Sequence, residues 1–153
     1  MNTIRIVFIG VVLTIATAWS LAAGLPSNLS QKGERIYEVN DGVIQYNKPS
    51  FKVQGDRLYE MKPGTDIIRY DKPSYTMKGD RLYEMKPGTS IIRYNKPSFT
   101  NKDGRIYEVK PGTSIIRYDK PSFINKDGRI YEMEPGTNII RYDKPSYEMK
   151  VIR

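Results

Sequence analysis

The sequence predicts an all-β protein built from tandem antiparallel hairpins, and three observations carry that reading. The first is a repeat. Tyr59, Tyr83, Tyr107 and Tyr131 stand 24 residues apart, each inside Arg-(Leu/Ile)-Tyr-Glu-(Met/Val)-(Lys/Glu)-Pro-Gly-Thr-x-Ile-Ile-Arg-Tyr-(Asp/Asn)-Lys-Pro-Ser-(Tyr/Phe). The second is turn chemistry at two fixed places in each repeat. The third is the character of the runs between turns, which are short and rich in Ile, Tyr, Val and Thr. One repeated supersecondary unit builds an extended surface that presents the same groups many times. That favours binding or structural work over catalysis.

The N-terminus precedes the repeats and reads as a signal peptide over residues 1–23. Arg5 supplies a positive start, residues 6–23 carry no charge, and Ala16-Thr17-Ala18 and Leu21-Ala22-Ala23 are small-residue cleavage candidates. Gly24-Leu25-Pro26-Ser27 breaks any helix. The alternative is an uncleaved anchor over residues 4–23, since the apolar stretch approaches the ~20 residues a membrane helix needs. Thr14, Thr17 and Ser20 dilute it. Either way the remainder is expected outside the cytoplasm, periplasmic or extracellular. Residues 24–32 then form a linker, and 33–153 a domain of five repeats: 33–54, 55–78, 79–102, 103–126 and 127–153. Asn28-Leu29-Ser30 matches a glycosylation sequon, a triplet common by chance.

Each repeat opens on a two-residue hairpin turn. It is Gly55-Asp56 and Gly79-Asp80 in two copies, and Asp103-Gly104 and Asp127-Gly128 in the next two. Gly-first suits a type II′ turn and Asp-Gly a type I′ turn, the two whose twist matches a hairpin. Around Gly79-Asp80 this pairs Met77 with Leu82 and Tyr75 with Glu84. Strand A follows (Arg81–Lys86 in the third repeat). A Pro-Gly turn comes next, at Lys62–Thr65, Lys86–Thr89, Lys110–Thr113 and Glu134–Thr137; Pro presets φ and Gly accepts φ > 0, the type II pattern. It leads into strand B (Ser90–Tyr94), with Glu60 expected opposite Ile67, Tyr59 opposite Ile68, and a Glu60–Arg69 pair. Asn95-Lys96-Pro97 marks a bend before strand C (Ser98–Lys102), because Pro has no N–H to give a ladder.

The first copy is shorter. Tyr37 and Tyr46 are 9 positions apart where Tyr59 and Tyr70 are 11, and Asn40-Asp41-Gly42 replaces the Pro-Gly loop. The change is even, so the flanking strands keep their facing. Both faces of the A–B hairpin are partly apolar, which fits a sheet that curls, closes or stacks. A meander or curled sheet is therefore expected. The alternative is a β-solenoid with one coil per repeat. It would stack Arg69, Arg93, Arg117 and Arg141 at ~4.8 Å spacing, where like charges oppose each other.

The phrase Gly104-Arg105-Ile106…Val109…Pro111-Gly112…Arg117-Tyr118-Asp119 resembles the YD repeats of Rhs-type and teneurin-type proteins, over about Gly33–Lys150. The resemblance implies a strip of β-hairpins and nothing about toxin or encapsulation roles. Here the second Tyr before Asp is missing, Lys-Pro-Ser follows each Asp/Asn, and five copies are too few for the large shell of that family.

Composition limits the chemistry. The chain has no Cys, so strand pairing and repeat stacking must hold it, and no His, the commonest general base and metal ligand. No cofactor or metal is expected. The carboxylates Glu60, Glu84, Glu108 and Glu132 repeat along the chain, as do Asp71, Asp119 and Asp143 with Asn95 in the same slot, whereas a catalytic pair needs one asymmetric pocket. Cross-strand partners and turn formers are the simpler reading. Asn101-Lys102-Asp103-Gly104 would put Phe99 at the first ligand of a calcium loop, so it is a turn.

Charge points to a partner class. The chain carries net +8, and residues 31–54, 55–78, 79–102, 103–126 and 127–150 carry +1, +1, +3, +2 and −1. A basic middle attracts anionic polymers, although modest positive charge also merely keeps a protein soluble. The candidate polymer contacts are Lys72, Lys96, Lys120 and Lys144, with Arg69, Arg93, Arg117 and Arg141. The candidate aromatic contacts are Tyr94, Phe99, Tyr118 and Phe123, since rings beside basic groups stack on sugars or bases; the bland reading makes most of these rings core. The sequence thus predicts an exported, non-enzymatic binding or structural module. Its expected partners are an anionic polysaccharide, lipopolysaccharide or wall polymer, with no specific nucleic-acid recognition. A second reading is an adhesin, inhibitor or immunity-type protein that takes a partner protein at an exposed sheet edge, and a third is an unusual envelope enzyme.

Overall fold

The computed structural model describes residues 34–54, 57–79, 81–127 and 129–151. The expected signal peptide or anchor, the linker and the sequon lie outside them. Among the described residues every regular element is a strand: β1 (Glu34–Asn40), β2 (Val43–Ile44), β3 (Ser50–Gln54), β4 (Arg57–Met61), β5 (Tyr75–Lys78), β6 (Arg81–Glu84), β7 (Ser98–Lys102), β8 (Arg105–Val109), β9 (Ser122–Lys126), β10 (Arg129–Met133) and β11 (Ser146–Val151). No helix among them is long and apolar enough to cross a membrane.

The tight turns set the hairpins as their chemistry requires. Met77 pairs with Leu82 and Tyr75 with Glu84. Asp103 and Gly104 have φ 55° and 77°, the double positive φ of a type I′ turn. Gly79 has φ 63°, as a Gly-first turn demands. The equivalent hairpins β3–β4 and β7–β8 each pair five residues, Ser50–Gln54 with Arg57–Met61 and Ser98–Lys102 with Arg105–Val109.

The sheet does not stay a meander or a curled strip, and it is not a solenoid: it closes. β11 pairs antiparallel with β1 over six residues, from Glu34↔Val151 to Val39↔Ser146. Ten strands therefore form a barrel, and β2 hangs beside β1. Closure removes the unpaired edges that an open strip exposes. It is made by a hairpin without its turn, so both ends of the described chain lie at the barrel end that carries the tight turns.

Strand B is not a strand. Each B segment meets strand A at one bridge, Met61↔Ile68, Met85↔Ile92, Val109↔Ile116 and Met133↔Ile140. The register is two residues wider than expected, with Arg69 N donating to Glu60 O at 2.9 Å and Lys62 N to Ile67 O at 2.9 Å. The physical reason is the turn. A type II turn splays strands rather than matching their twist, and Thr65 Oγ1 donates to Lys62 O while accepting from Ile67 N. Four residues are needed to turn the chain where two were expected. The even shift preserves facing, and Glu60 and Arg69 still meet.

Ten side chains fill the barrel, one per strand: Ile36, Phe51, Leu58, Tyr75, Leu82, Phe99, Ile106, Phe123, Ile130 and Tyr147. Aliphatic residues come from the A strands and aromatic ones from the C strands, so large and small alternate around the ring. Burying each contributes about 1.5–3 kcal/mol. On the outer wall, Val39, Met61, Met85, Val109 and Met133 are also buried. The loops that follow the A strands run beside them.

Candidate binding surface

Strand A alternates. In β4, Leu58 and Glu60 face inward, while Arg57 and Tyr59 face the outer wall. The loop after β4 returns Tyr70 edge-on to Tyr59, with centroids 5.8 Å apart at 68°. The pair recurs as Tyr37–Tyr46, Tyr83–Tyr94, Tyr107–Tyr118 and Tyr131–Tyr142. A turn closed by Lys72 N donating to Arg69 O at 3.1 Å then sets Lys72 next to this aromatic edge. From the following repeat, the Pro-Gly loop leans in. Arg57 donates to Thr89 O at 3.2 Å and to Ser90 Oγ at 2.6 Å.

These parts enclose a groove between neighbouring repeats. One, of ≈ 350 Å³, is lined by Arg57, Tyr59, Tyr70 and Lys72, with Ser74 and Gly88–Ser90. Its counterpart one repeat on, of ≈ 400 Å³, has Arg81, Tyr83, Tyr94 and Lys96, with Ser98 and Gly112–Ser114. Cations, aromatic faces and hydroxyls converge there, a combination suited to an acidic sugar. Lys78, Lys102 and Lys126 donate to the hydroxyls of Tyr94, Tyr118 and Tyr142 at 2.8, 3.0 and 3.0 Å, and those bonds raise the lysine pKa values. They fix the tyrosine rings on the wall.

The structure divides the sequence-predicted residues into three groups. Lys72 and Lys96 line the grooves, and Lys120 and Lys144 are half-buried at the equivalent turns. Tyr94 and Tyr118 are half exposed on the outer wall. Arg69, Arg93, Arg117 and Arg141 are engaged elsewhere, each giving an N–H to Glu60, Glu84, Glu108 or Glu132 at 2.8–2.9 Å. Phe99 and Phe123 lie in the core ring at 4% exposure. They are bonded in register with Leu82 and Ile106, so they offer no surface.

The column Arg35, Arg57, Arg81, Arg105 was not anticipated. Its partners sit 30 to 33 positions away in the next repeat's loop. The available signal was its invariance beside the hairpin turn, on the face opposite the core Leu or Ile.

At the loop end of the barrel the five Glu of the A strands carry mixed electrostatics. Burial raises the carboxyls of Glu60 and Glu108, with Arg69 and Arg117 pulling the other way. Burial likewise raises Glu38, where Gln45 replaces the arginine and Lys48 opposes the shift. The Tyr75 hydroxyl is buried and has no hydrogen-bond partner among the described residues, and burial raises its pKa. No group of three acidic, His or Cys side chains among the described residues is placed to hold a metal ion.

No family model, curated protein or solved structure matches this chain.

Proposed function

We propose that the protein is a non-enzymatic binding module, acting outside the cytoplasm, that attaches to an anionic polysaccharide or other anionic envelope polymer. The observation that carries this reading is the pair of inter-repeat grooves. Each collects an Arg, a Lys and two Tyr rings at an open surface. The second lies wholly in the basic middle of the chain, and the first borders it. A charged polymer would be held by several weak contacts acting together. Closure changes their geometry: the lysines form a ring on a barrel wall, so a flexible polymer that wraps fits better than a rigid rod.

The test is retention of the protein on polymer-coated beads, with carboxylated, sulfated and neutral polysaccharides, at low and high salt. Retention on anionic polymers that falls steeply with salt is expected. Charge reversal of Lys72 and Lys96 should abolish it. Equal retention on neutral polymers, or none on any anionic one, would remove the reading.

One observation favours a protein partner instead. Val43, Ile67, Ile91, Ile115 and Ile139 are all 58–63% exposed. Each lies two residues before the Gln or Arg opposite its strand-A Glu, so all five sit at the loop end. Such apolar groups mark interaction sites when contiguous. Binding there would be stoichiometric and much less sensitive to salt.

A further inference from the structure

One arginine of the Arg35, Arg57, Arg81, Arg105 column already holds an anion, and that anion is an exposed side chain of the protein itself. Arg35 gives N–H groups to the carbonyl of Thr65, at 2.6 Å, and to the carboxylate of Asp66. The other arginines share the first bond: Arg57 to Thr89 O, Arg81 to Thr113 O and Arg105 to Thr137 O. They differ in the residue after the Thr, which is Asp66, Ser90, Ser114 and Asn138 in turn. Asn138 accepts from Arg105 at 2.7 Å. Ser90 offers only a hydroxyl, and Arg81 is bonded to the Thr113 carbonyl. Among the described residues neither Arg57 nor Arg81 has a carboxylate partner.

Burial singles out the first repeat: Arg35 and Tyr37 are buried, whereas Arg57 and Tyr59, Arg81 and Tyr83, and Arg105 and Tyr107 remain half-exposed. The two grooves described above both carry a Ser at this position. Guanidinium is planar and matches a carboxylate through paired N–H groups.

We infer that the Arg57 and Arg81 grooves are specific subsites for the carboxylate of an acidic sugar in a polysaccharide, and that Asp66 occupies the equivalent subsite of the first repeat as an internal ligand. Arg57 or Arg81 takes the sugar carboxylate where Arg35 takes Asp66. The exposed edge of the Tyr59–Tyr70 or Tyr83–Tyr94 pair lies against the ring, and Lys72 or Lys96 supplies the second cation. This deepens the polymer-binding reading and rests on it.

The test copies the internal ligand into the open grooves. Ser90→Asp with Ser114→Asp should close both subsites and weaken binding to polygalacturonate at least about tenfold, with the melting curve retained. A charge control, Asn40→Asp with Asn125→Asp, places the same net charge at two exposed positions outside the groove linings and should lose only the bulk attraction that both variants share. Asp66→Ser should open a third subsite and strengthen binding. Dextran sulfate distinguishes bulk attraction from carboxylate recognition: its binding should fall equally in the groove variant and the charge control. If the groove variant binds polygalacturonate as well as the charge control, the inference is overturned while the polymer-binding reading stands. If the parent protein binds no anionic polymer, both are overturned.

Discussion

Arg117 Nη1 donates to Glu108 Oε1 at 2.8 Å, and Glu108 is almost fully buried while Arg117 is one-third exposed. The partners are unequal. Removing the guanidinium strands a carboxylate in the protein, whereas removing the carboxylate leaves an arginine that water still reaches. Arg117→Ala is therefore expected to destabilise by about 1–3 kcal/mol. Adding Glu108→Gln should recover much of the loss. Urea unfolding of both variants at neutral pH checks this, and equal losses would show that the ion pair is not the cause.

The same glutamates give the pH dependence. Burial raises the Glu60 and Glu108 pKa values from the ordinary glutamate value. A raised folded pKa means that the folded state holds the proton more tightly than the unfolded chain. That stabilisation is fully present below the ordinary value of about 4.3, and it is lost as pH rises through the raised folded value. Glu60→Gln and Glu108→Gln should thus be at least as stable as the parent at neutral pH, with the difference shrinking on acidification. Melting curves between pH 4 and pH 8 decide it; a gap that widens towards pH 4 contradicts the sign.

Gly104 isolates the backbone contribution of a turn. It has φ 77°, and a Cβ added there meets nothing within 4 Å. Gly104→Ala is therefore opposed by conformation alone, at about 1–2 kcal/mol. Exchanging Asp103-Gly104 for Gly-Asp, as in the two preceding repeats, should be nearly neutral because a type II′ turn fits the same hairpin. Chemical denaturation of the two variants separates these outcomes. A large loss in the exchange variant would tie the turn to its particular residues.

The seam between β1 and β11 is expected to be the structure's weak point. Deleting residues 146–153 removes Tyr147 from the core ring and uncovers the edges of both β1 and β10. The truncated chain should lose its cooperative melt and self-associate through those edges. Size-exclusion chromatography with thermal melting tests this, and a monomeric, cooperatively melting product would mean that the open strip is stable.

These relationships were unequally legible in the sequence. Hairpin register at Met77–Leu82 was readable because a two-residue turn leaves one pairing. The apolar character of both faces pointed to curling or closing. Closure itself was not readable, since it depends on Glu34–Val39 finding Ser146–Val151 at the other end of the domain. The loop register was missed because Thr65 widens the turn through its own side chain. The lysine column reads from the sequence as a contact row, and two of its members, Lys72 and Lys96, line the grooves. The Arg69 column was read both as a ligand contact and as a partner of Glu60, and the structure places it with the glutamates. The Arg57 column was overlooked because its partners come from the neighbouring repeat.

Ring closure also governs how this architecture can change by duplication. In an open array an added unit lengthens the molecule and leaves the existing packing alone. Here another unit would insert two strands into the circumference, widen the bore and leave a void where ten side chains now meet. Losing one would crowd them. The number of units is thus locked to the volume of the interior, and gene-level expansion or contraction of the array is coupled to wholesale redesign of the core.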